Sequence, residues 1–438
     1  MRAAAGPADE AGARTRLSRV VMASLVGTTI EWYDFFLYGS AAALVFNRLF
    51  FPEYDPLTGT LLAFATYALG FVARPVGGIV FGHFGDRIGR KRLLMLSLIL
   101  MGAATILIGL LPTYAQIGVW APAALIVLRL VQGFAVGGEW GGAVLMAAEH
   151  GDAARRGFWA SWPQAGVPAG NLLAAGVLAL MAGVQSEADF LAWGWRVPFL
   201  LSAVLVAVGW YIRNRVEESP MFRRSLDEAE APPRLPAIDV FRERPRAVLL
   251  GAGLRVGENI SYYILTVFSL TYLVDVAAES RSLALNALLI GAAVQFLAIP
   301  AFARLSDRIG RRPVYAFGGL GLAAWSFVLF PLLGSGSHLE SYTAIMVGLV
   351  LHGAMYGPQA AFITELFPTR IRYSGVSIAY QLTSIAAGSL APMIALWLYT
   401  EWDSATPVAI YVAAACALSG LSALLARETK GVELADIR

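Results

Sequence analysis

Seven charged side chains stand well away from the ends of stretches that are otherwise apolar: Glu31, Asp34, Arg74, Arg129, Glu139, Arg255 and Glu258. If those stretches are helices, Glu31, Asp34 and Tyr38 fall at i, i+3 and i+7, on one face. Arg129, Gln132 and Glu139 share a second face. Arg255, Glu258, Asn259, Tyr262, Thr266 and Ser269 share a third. Further polar groups follow at Gln164 and Asn171, between prolines 163 and 168, and at His352, Tyr356, Gln359, Tyr380 and Gln381. Two kinds of chemistry suit this set. A carboxylate whose surroundings alternate between dry and arginine-rich takes up and releases a proton, because desolvation disfavours its charge and Arg⁺ favours it. A guanidinium such as Arg74, Arg129 or Arg255 grips a carboxylate by two parallel hydrogen bonds. Glu31, Glu139 and Glu258 suit such roles or plain ion pairing, Tyr262 and Tyr356 suit packing or substrate contact, and His352 reads as a satisfied core histidine.

The elements that position these groups are membrane spans. The chain has 438 residues, of which 58% are hydrophobic and 14% charged, with mean hydropathy +0.63. That is too apolar for an ordinary soluble domain. Twelve long apolar runs recur, each near the ~20 residues that cross a hydrocarbon core of ~30 Å. They cover 20–46, 57–82, 93–112, 119–147, 157–183, 194–213, 247–275, 283–303, 313–333, 342–366, 374–399 and 406–426. A charged side chain within a span costs at least ~2.5 kcal/mol, so each one named above must face protein or water, not lipid. With loops alternating sides, only Arg48, Arg196 and Arg281 lie opposite the N-terminus. All the other lysines and arginines outside the spans lie on its side. This asymmetry predicts cytoplasmic termini and makes a polyanionic partner unnecessary. The single cysteine, Cys416, excludes an intramolecular disulfide or a thiolate metal cluster.

The expected organisation is a tail at 1–19, a six-helix bundle at 20–213, a cytoplasmic linker at 214–246, a second bundle at 247–426 and a tail at 427–438. A repeat supports the division. Gly82-His83-Phe84-Gly85-Asp86-Arg87-Ile88-Gly89-Arg90-Lys91 after the second span is echoed by Ala303-Arg304-Leu305-Ser306-Asp307-Arg308-Ile309-Gly310-Arg311-Arg312 after the eighth. Weaker echoes pair Glu149…Arg155-Arg156-Gly157 with Glu365…Arg370-Ile371-Arg372, and Glu218-Ser219-Pro220 with Glu428-Thr429-Lys430. Asp86, Glu149, Asp307 and Glu365 beside Arg87, Arg90, Arg308, Arg311 and Arg370 suit a charged latch at the cytoplasmic helix ends, which would bias the conformational equilibrium if its contacts differ between states.

The doubled Asp-Arg-x-Gly-Arg loop resembles the signature of the major facilitator superfamily. Within it, Glu31-Trp32-Tyr33-Asp34-Phe35-Phe36-Leu37-Tyr38-Gly39, Arg74-Pro75-Val76-Gly77-Gly78 and the Arg129–Gly142 run resemble the metabolite:proton symporters, which include shikimate, 2-oxoglutarate, citrate and proline/betaine carriers. The resemblance implies an all-α fold of twelve transmembrane helices in two pseudo-symmetric six-helix bundles. It also implies a multi-pass inner-membrane location and alternating access around a midplane site. It places the titrating acid at Asp34, with Glu31 beside it and Arg129 as partner. Tyr38, Arg74, Gln132, Glu139, Gln164, Arg255, Glu258, Asn259, Tyr262, Tyr356, Gln359 and Gln381 then stand as substrate contacts. The expected activity is symport of a proton with a small organic acid, shikimate-like first, or else a zwitterion such as betaine or proline. No cofactor is expected beyond the coupling proton, and a monomer suffices. No nucleophile elbow, phosphate loop or metal-ligand cluster argues for an enzyme, and the linker and tails are short for a signalling domain on a transporter-like sensor.

Overall fold

The structure, a computed structural model, describes residues 7–88, 90–136, 153–215, 240, 242–368, 372–434 and 437. Among these residues the chain forms twelve long helical elements. They are α1 (Pro7–Ala41, continued by a π turn to Leu49), α2 (Pro56–Ile88), α3 (Arg90–Leu110), α4 (Trp120–Val136), α5 (Arg156–Val184) and α6 (Arg196–Arg215). The second set is α7 (Pro245–Tyr263, continued through π turns to Val276), α8 (Arg281–Ile309), α9 (Arg311–Leu333), α10 (His338–Thr364), α11 (Arg372–Thr383, then a π turn and Ala391–Trp402) and α12 (Thr406–Leu425). Each coincides with one expected apolar run. Seven are long and apolar enough to cross a membrane by themselves, and the bent pair Glu187–Gly194 and Arg196–Tyr211 makes an eighth. The helix of α1 begins inside the stretch read as a tail.

The two sets repeat one packing scheme. In the first, α1 lies on α5, α2 on α4 and α3 on α6; in the second, α7 lies on α11, α8 on α10 and α9 on α12. Small residues set the approach of these pairs. A Cβ on Gly133 would lie 1.8 Å from the carbonyl oxygen of Gly70, so α2 and α4 touch backbone to backbone, as small residues allow in membrane interiors. Between the halves, α5 packs on α8 and α10, while α2 packs on α11. The polar faces of α1, α4, α7 and α10 are thereby turned to the middle of the molecule. Local breaks of the helical ladder fall beside those faces. α1, α7 and α11 each carry a π turn, at Ala42–Phe46, Ile264–Phe268 and Ser384–Ser389. Such insertions re-aim side chains and recur at functional positions.

Candidate functional site

Glu139, Glu149 and Arg370 lie outside the described residues. Asp86, Arg87, Arg90 and Gln381 belong to described helix backbone, but their side chains lie outside the description.

In the N-terminal half, α1, α2, α3 and α4 enclose a narrow cavity whose lining includes Glu31, Asp34, Phe35, Gly70, Arg74, Met101, Arg129 and Gln132. Asp34 is 2% exposed and Arg129 is 2% exposed. They share the cavity without forming an ion pair among the described residues. Asp34 instead accepts a 2.6 Å hydrogen bond from the Ser202 hydroxyl on α6, and its second oxygen has no partner. Arg129, expected as the partner of Asp34, thus lines the same cavity with no hydrogen bond to it among the described residues. Arg129 donates to Gln132 at 3.1 Å, and Gln132 is in turn oriented by Thr105 at 2.7 Å. The guanidinium stands 4.9, 4.3 and 4.7 Å from the ring centres of Phe35, Tyr38 and Tyr67. That aromatic cage holds the charge by cation–π attraction and leaves Nη2 unpartnered. Tyr38 is a wall of the cage, with its hydroxyl bonded to Thr66 at 2.6 Å. Arg74 lies over Phe35 and Phe71 at 4.8 and 4.4 Å.

In the C-terminal half the charges are paired. Arg255 meets Glu258 at 2.8 Å, one helical turn along α7. Gln359 on α10 ties the pair together: it accepts from Arg255 at 2.8 Å and donates to Glu258 at 3.2 Å and to the Tyr315 oxygen at 3.0 Å. His352 approaches the other Glu258 oxygen at 3.3 Å and contacts Gln295 of α8 at 2.7 Å. Arg255 also stacks 3.6 Å from the Tyr380 ring. Tyr262 and Tyr356 flank His352, at 4.7 and 5.4 Å between ring centres. Asn259 is buried with its amide oxygen unpartnered. The seam is crossed by Gln164 of α5, which donates to the Tyr356 carbonyl at 3.4 Å, and by Phe36 against Tyr262 at 5.5 Å.

The halves are also tied at both faces. On the face of the linker and the C-terminal tail, Asp307 of α8 accepts from the Gly157 and Phe158 amides at 3.0 and 2.9 Å, at the start of α5. Carboxylates are favoured at a helix N-terminus by the backbone donors and the helix dipole. Arg156 reaches across to Glu365 at 2.9 Å, and Arg311 joins Asp307 at 2.6 Å and Glu365 at 3.4 Å. Arg308 is exposed and lines a cleft between α5 and α8. The C-terminal tail completes this network. Glu428 accepts from the amides of Arg311, Arg312, Thr429 and Lys430 at 2.8 to 3.1 Å, and the Arg156 guanidinium donates to the Val432 carbonyl at 3.0 Å. Partial burial opposes the Glu428 charge, but the amides that face it hold its carboxyl below the usual range. On the opposite face, Glu187 joins Arg48 at 2.8 Å to Arg281 of α8 at 3.1 Å. The central cavity, about 10 Å³, is near the lower limit for a single water. As it stands, this cavity has no room for a solute larger than water.

The sequence reading missed Ser202, Thr105, Gln295, Tyr315, Glu187 and Arg156 as partners. Only Arg156 carried a signal, in the weak echo of Arg155-Arg156-Gly157.

The Sugar (and other) transporter family matches residues 19–235 and again residues 236–438, so each half of the fold is covered. The chain belongs to this family of the major facilitator superfamily. Over 422 residues it is 43% identical to the shikimate transporter of Escherichia coli, covering 95% of this chain and 96% of that one. It is 40% identical to the Escherichia coli inner membrane metabolite transport protein YhjE, over 94% of both chains. It is 33% identical to the proline/betaine transporter of Salmonella typhimurium, over 94% of this chain and 84% of that one. Among solved structures, a D-xylose-proton symporter superposes with a TM-score of 0.75 at 18% identity, covering 94% of this chain and 98% of the other. The protein is thus a multi-pass membrane transporter with the major facilitator fold.

Proposed function

We propose that the transporter carries a small organic acid together with a proton across the inner membrane, by rocking of its two halves about the central site. The observation that carries this reading is the juxtaposition of an incompletely bonded carboxylate, Asp34, with an unpaired guanidinium, Arg129, in one buried cavity. A buried acid without a tight counter-ion takes up a proton readily when dry and loses it when water or a cation reaches it. Arg129 and Arg255 supply carboxylate-binding forks in facing halves. In this reading both termini are cytoplasmic, the Asp307–Arg156–Glu365 network is the cytoplasmic gate, and one chain forms a complete unit with no cofactor beyond the proton. The name of the shikimate transporter relative makes shikimate the first substrate to try, with glycine betaine as the zwitterionic rival. Proteoliposomes holding the purified protein, acidified outside, are expected to accumulate labelled shikimate above its external concentration and to lose that accumulation when the pH gradient is collapsed. Uptake that never exceeds equilibration overturns symport.

A further inference from the structure

The cluster around Glu258 holds two cations for one carboxylate, and only one of them is permanently charged. Glu258 lies between Arg255 at 2.8 Å on one oxygen and His352 Nε2 at 3.3 Å on the other. Gln295 bears on the tautomer of the ring. With its amide nitrogen 2.7 Å from His352 Nδ1, this orientation of the amide matches an accepting Nδ1 and a hydrogen on Nε2, the nitrogen that faces the carboxylate. The amide oxygen of Gln295, a residue with no exposed surface, has no partner at all. A buried amide with one satisfied and one orphaned end is costly as it stands. Turned about its last bond, the same amide offers its oxygen to Nδ1–H, which is the arrangement an imidazolium requires. Gln295 is thus placed to serve both protonation states of the ring.

We propose that His352 is a second proton site of this transporter, and that a proton on it releases Arg255 from Glu258 to bind a substrate carboxylate. The proton, taken from water, adds to Nδ1, while Gln295 turns to accept it and Nε2–H stays on Glu258. His352 then replaces Arg255 as the counter-ion of Glu258. The buried Nε of Arg255 has no partner and its Nη2 only a 3.3 Å contact with Ser384, so this edge of the fork keeps hydrogen-bonding capacity for a bidentate ligand. The charges balance: Arg255 and Glu258 are neutral together, the proton leaves one positive charge, and one monocarboxylate restores neutrality. Either partner alone leaves an uncompensated charge in a dry cluster, which is strongly disfavoured.

The groups that face the ring do not supply the charge in its place. α7 presents Glu258, Arg255 and the Tyr262 phenol; α10 itself presents Tyr356 and Gln359; α8 presents Gln295; α9 presents Tyr315 through Gln359; α11 presents Tyr380 behind Arg255. From the N-terminal half, Arg74 and Glu31 act on Tyr380. The inference rests on the symport reading and narrows it to singly charged organic anions, because a zwitterion brings its own cation and has no use for the histidine proton.

Two measurements on the purified full-length protein test it. With His83, His150 and His338 replaced by glutamine, ¹⁵N spectra of the labelled His352 ring, recorded over a pH series, are expected to show the Nε2–H form giving way to imidazolium as acid is added. A ring that stays neutral throughout overturns the proton site without recourse to any core variant. Shikimate, and benzoate as a generic monocarboxylate, are then added in weak buffer with a pH-indicating dye. Proton uptake of about one per bound carboxylate is expected, with affinity falling about tenfold per pH unit where the spectra show the free ring unprotonated, as reciprocal linkage requires. His352→Gln, which keeps a donor for Glu258 but cannot gain the proton, is expected to bind without uptake and with affinity flat within about twofold. Binding without uptake by the unaltered protein, or no binding of either probe, overturns the carboxylate role. Linked proton uptake in detergent combined with no gradient-driven accumulation in proteoliposomes refutes symport and leaves the His352 site standing.

Discussion

The two halves of the central site are built from the same residue types and handle charge in opposite ways. In the N-terminal half, Asp34 and Arg129 share a cavity but are kept on separate partners, a serine hydroxyl for one and a glutamine with an aromatic cage for the other. In the C-terminal half, Arg255 and Glu258 are locked in a short ion pair and braced by Gln359 and His352. In a dry pocket, a carboxylate without a counter-ion is poised to change protonation state, and a guanidinium without one to change partner. A braced pair is already neutral and moves only when something replaces one member. In the proposed symport cycle, easy proton exchange would belong to the first half and conditional anion binding to the second.

The largest expected effect is on Asp34. Asn at this position keeps the volume and the contact with Ser202 but holds no proton, so Asp34→Asn is expected to lower gradient-driven accumulation by more than about 100-fold while leaving substrate counterflow measurable. Accumulation that survives breaks the assignment of the N-terminal half and passes the role to Glu31.

Next comes Glu258→Gln, which strands the Arg255 charge in the protein interior. Removing one member of a buried pair costs on the order of 3 kcal/mol, so a clear fall in thermal stability is expected. Asp34→Asn is expected to leave stability nearly unchanged, since no ion pair is broken. Equal melting shifts in the two variants would erase the contrast between the halves.

Arg129→Lys sharpens the same contrast at smaller amplitude. Lysine keeps the charge but not the planar fork held by Gln132, and about a tenfold loss of uptake efficiency is expected. Uptake near that of the unaltered protein would reduce Arg129 to a point charge.

The smallest effects are expected at the faces. Glu187 is largely exposed, at 63% of its side chain, whereas Glu365 is fully buried. Glu187→Gln is thus expected to cost less than about 1 kcal/mol, as exposed pairs do, and Glu365→Gln several times more. The tail clamp adds a pH signature. Because the folded carboxyl of Glu428 titrates below its unfolded value of about 4.3, its contribution is full above that value and fades as the pH falls through the folded one. Glu428→Gln is expected to flatten this acid arm of the melting curve, measured between about pH 6 and pH 3.

Much of the architecture was legible in the residue order. Every expected span meets a helix, because a run of apolar residues crossing a bilayer must satisfy its backbone internally whatever its neighbours are. The polar faces of α1, α4 and α7 were legible for the same reason, since helical periodicity is local. The Asp307, Arg311 and Glu365 network was visible through the repeated motif, although its contact with the start of α5 was not. Asp34 and Ser202 illustrate where such reading stops. They are 168 positions apart, on helices whose mutual rotation no local pattern encodes. His352 illustrates it differently: one histidine in an apolar run reads as core, and its meaning changes only once Glu258 of α7 and Gln295 of α8 are found at its two nitrogens.

By itself the amino-acid order determined the solvent, the number of spans, the duplication and the side chains too polar to face lipid, since each follows from the cost of placing a residue in hydrocarbon. Only the tertiary structure decided which of those side chains neutralise one another and which are left incomplete. That choice depends on distances of a few ångströms between helices far apart in the chain. At that range the choice of hydrogen-bond partners separates the braced pair, Arg255 and Glu258, from the divided one, Asp34 and Arg129.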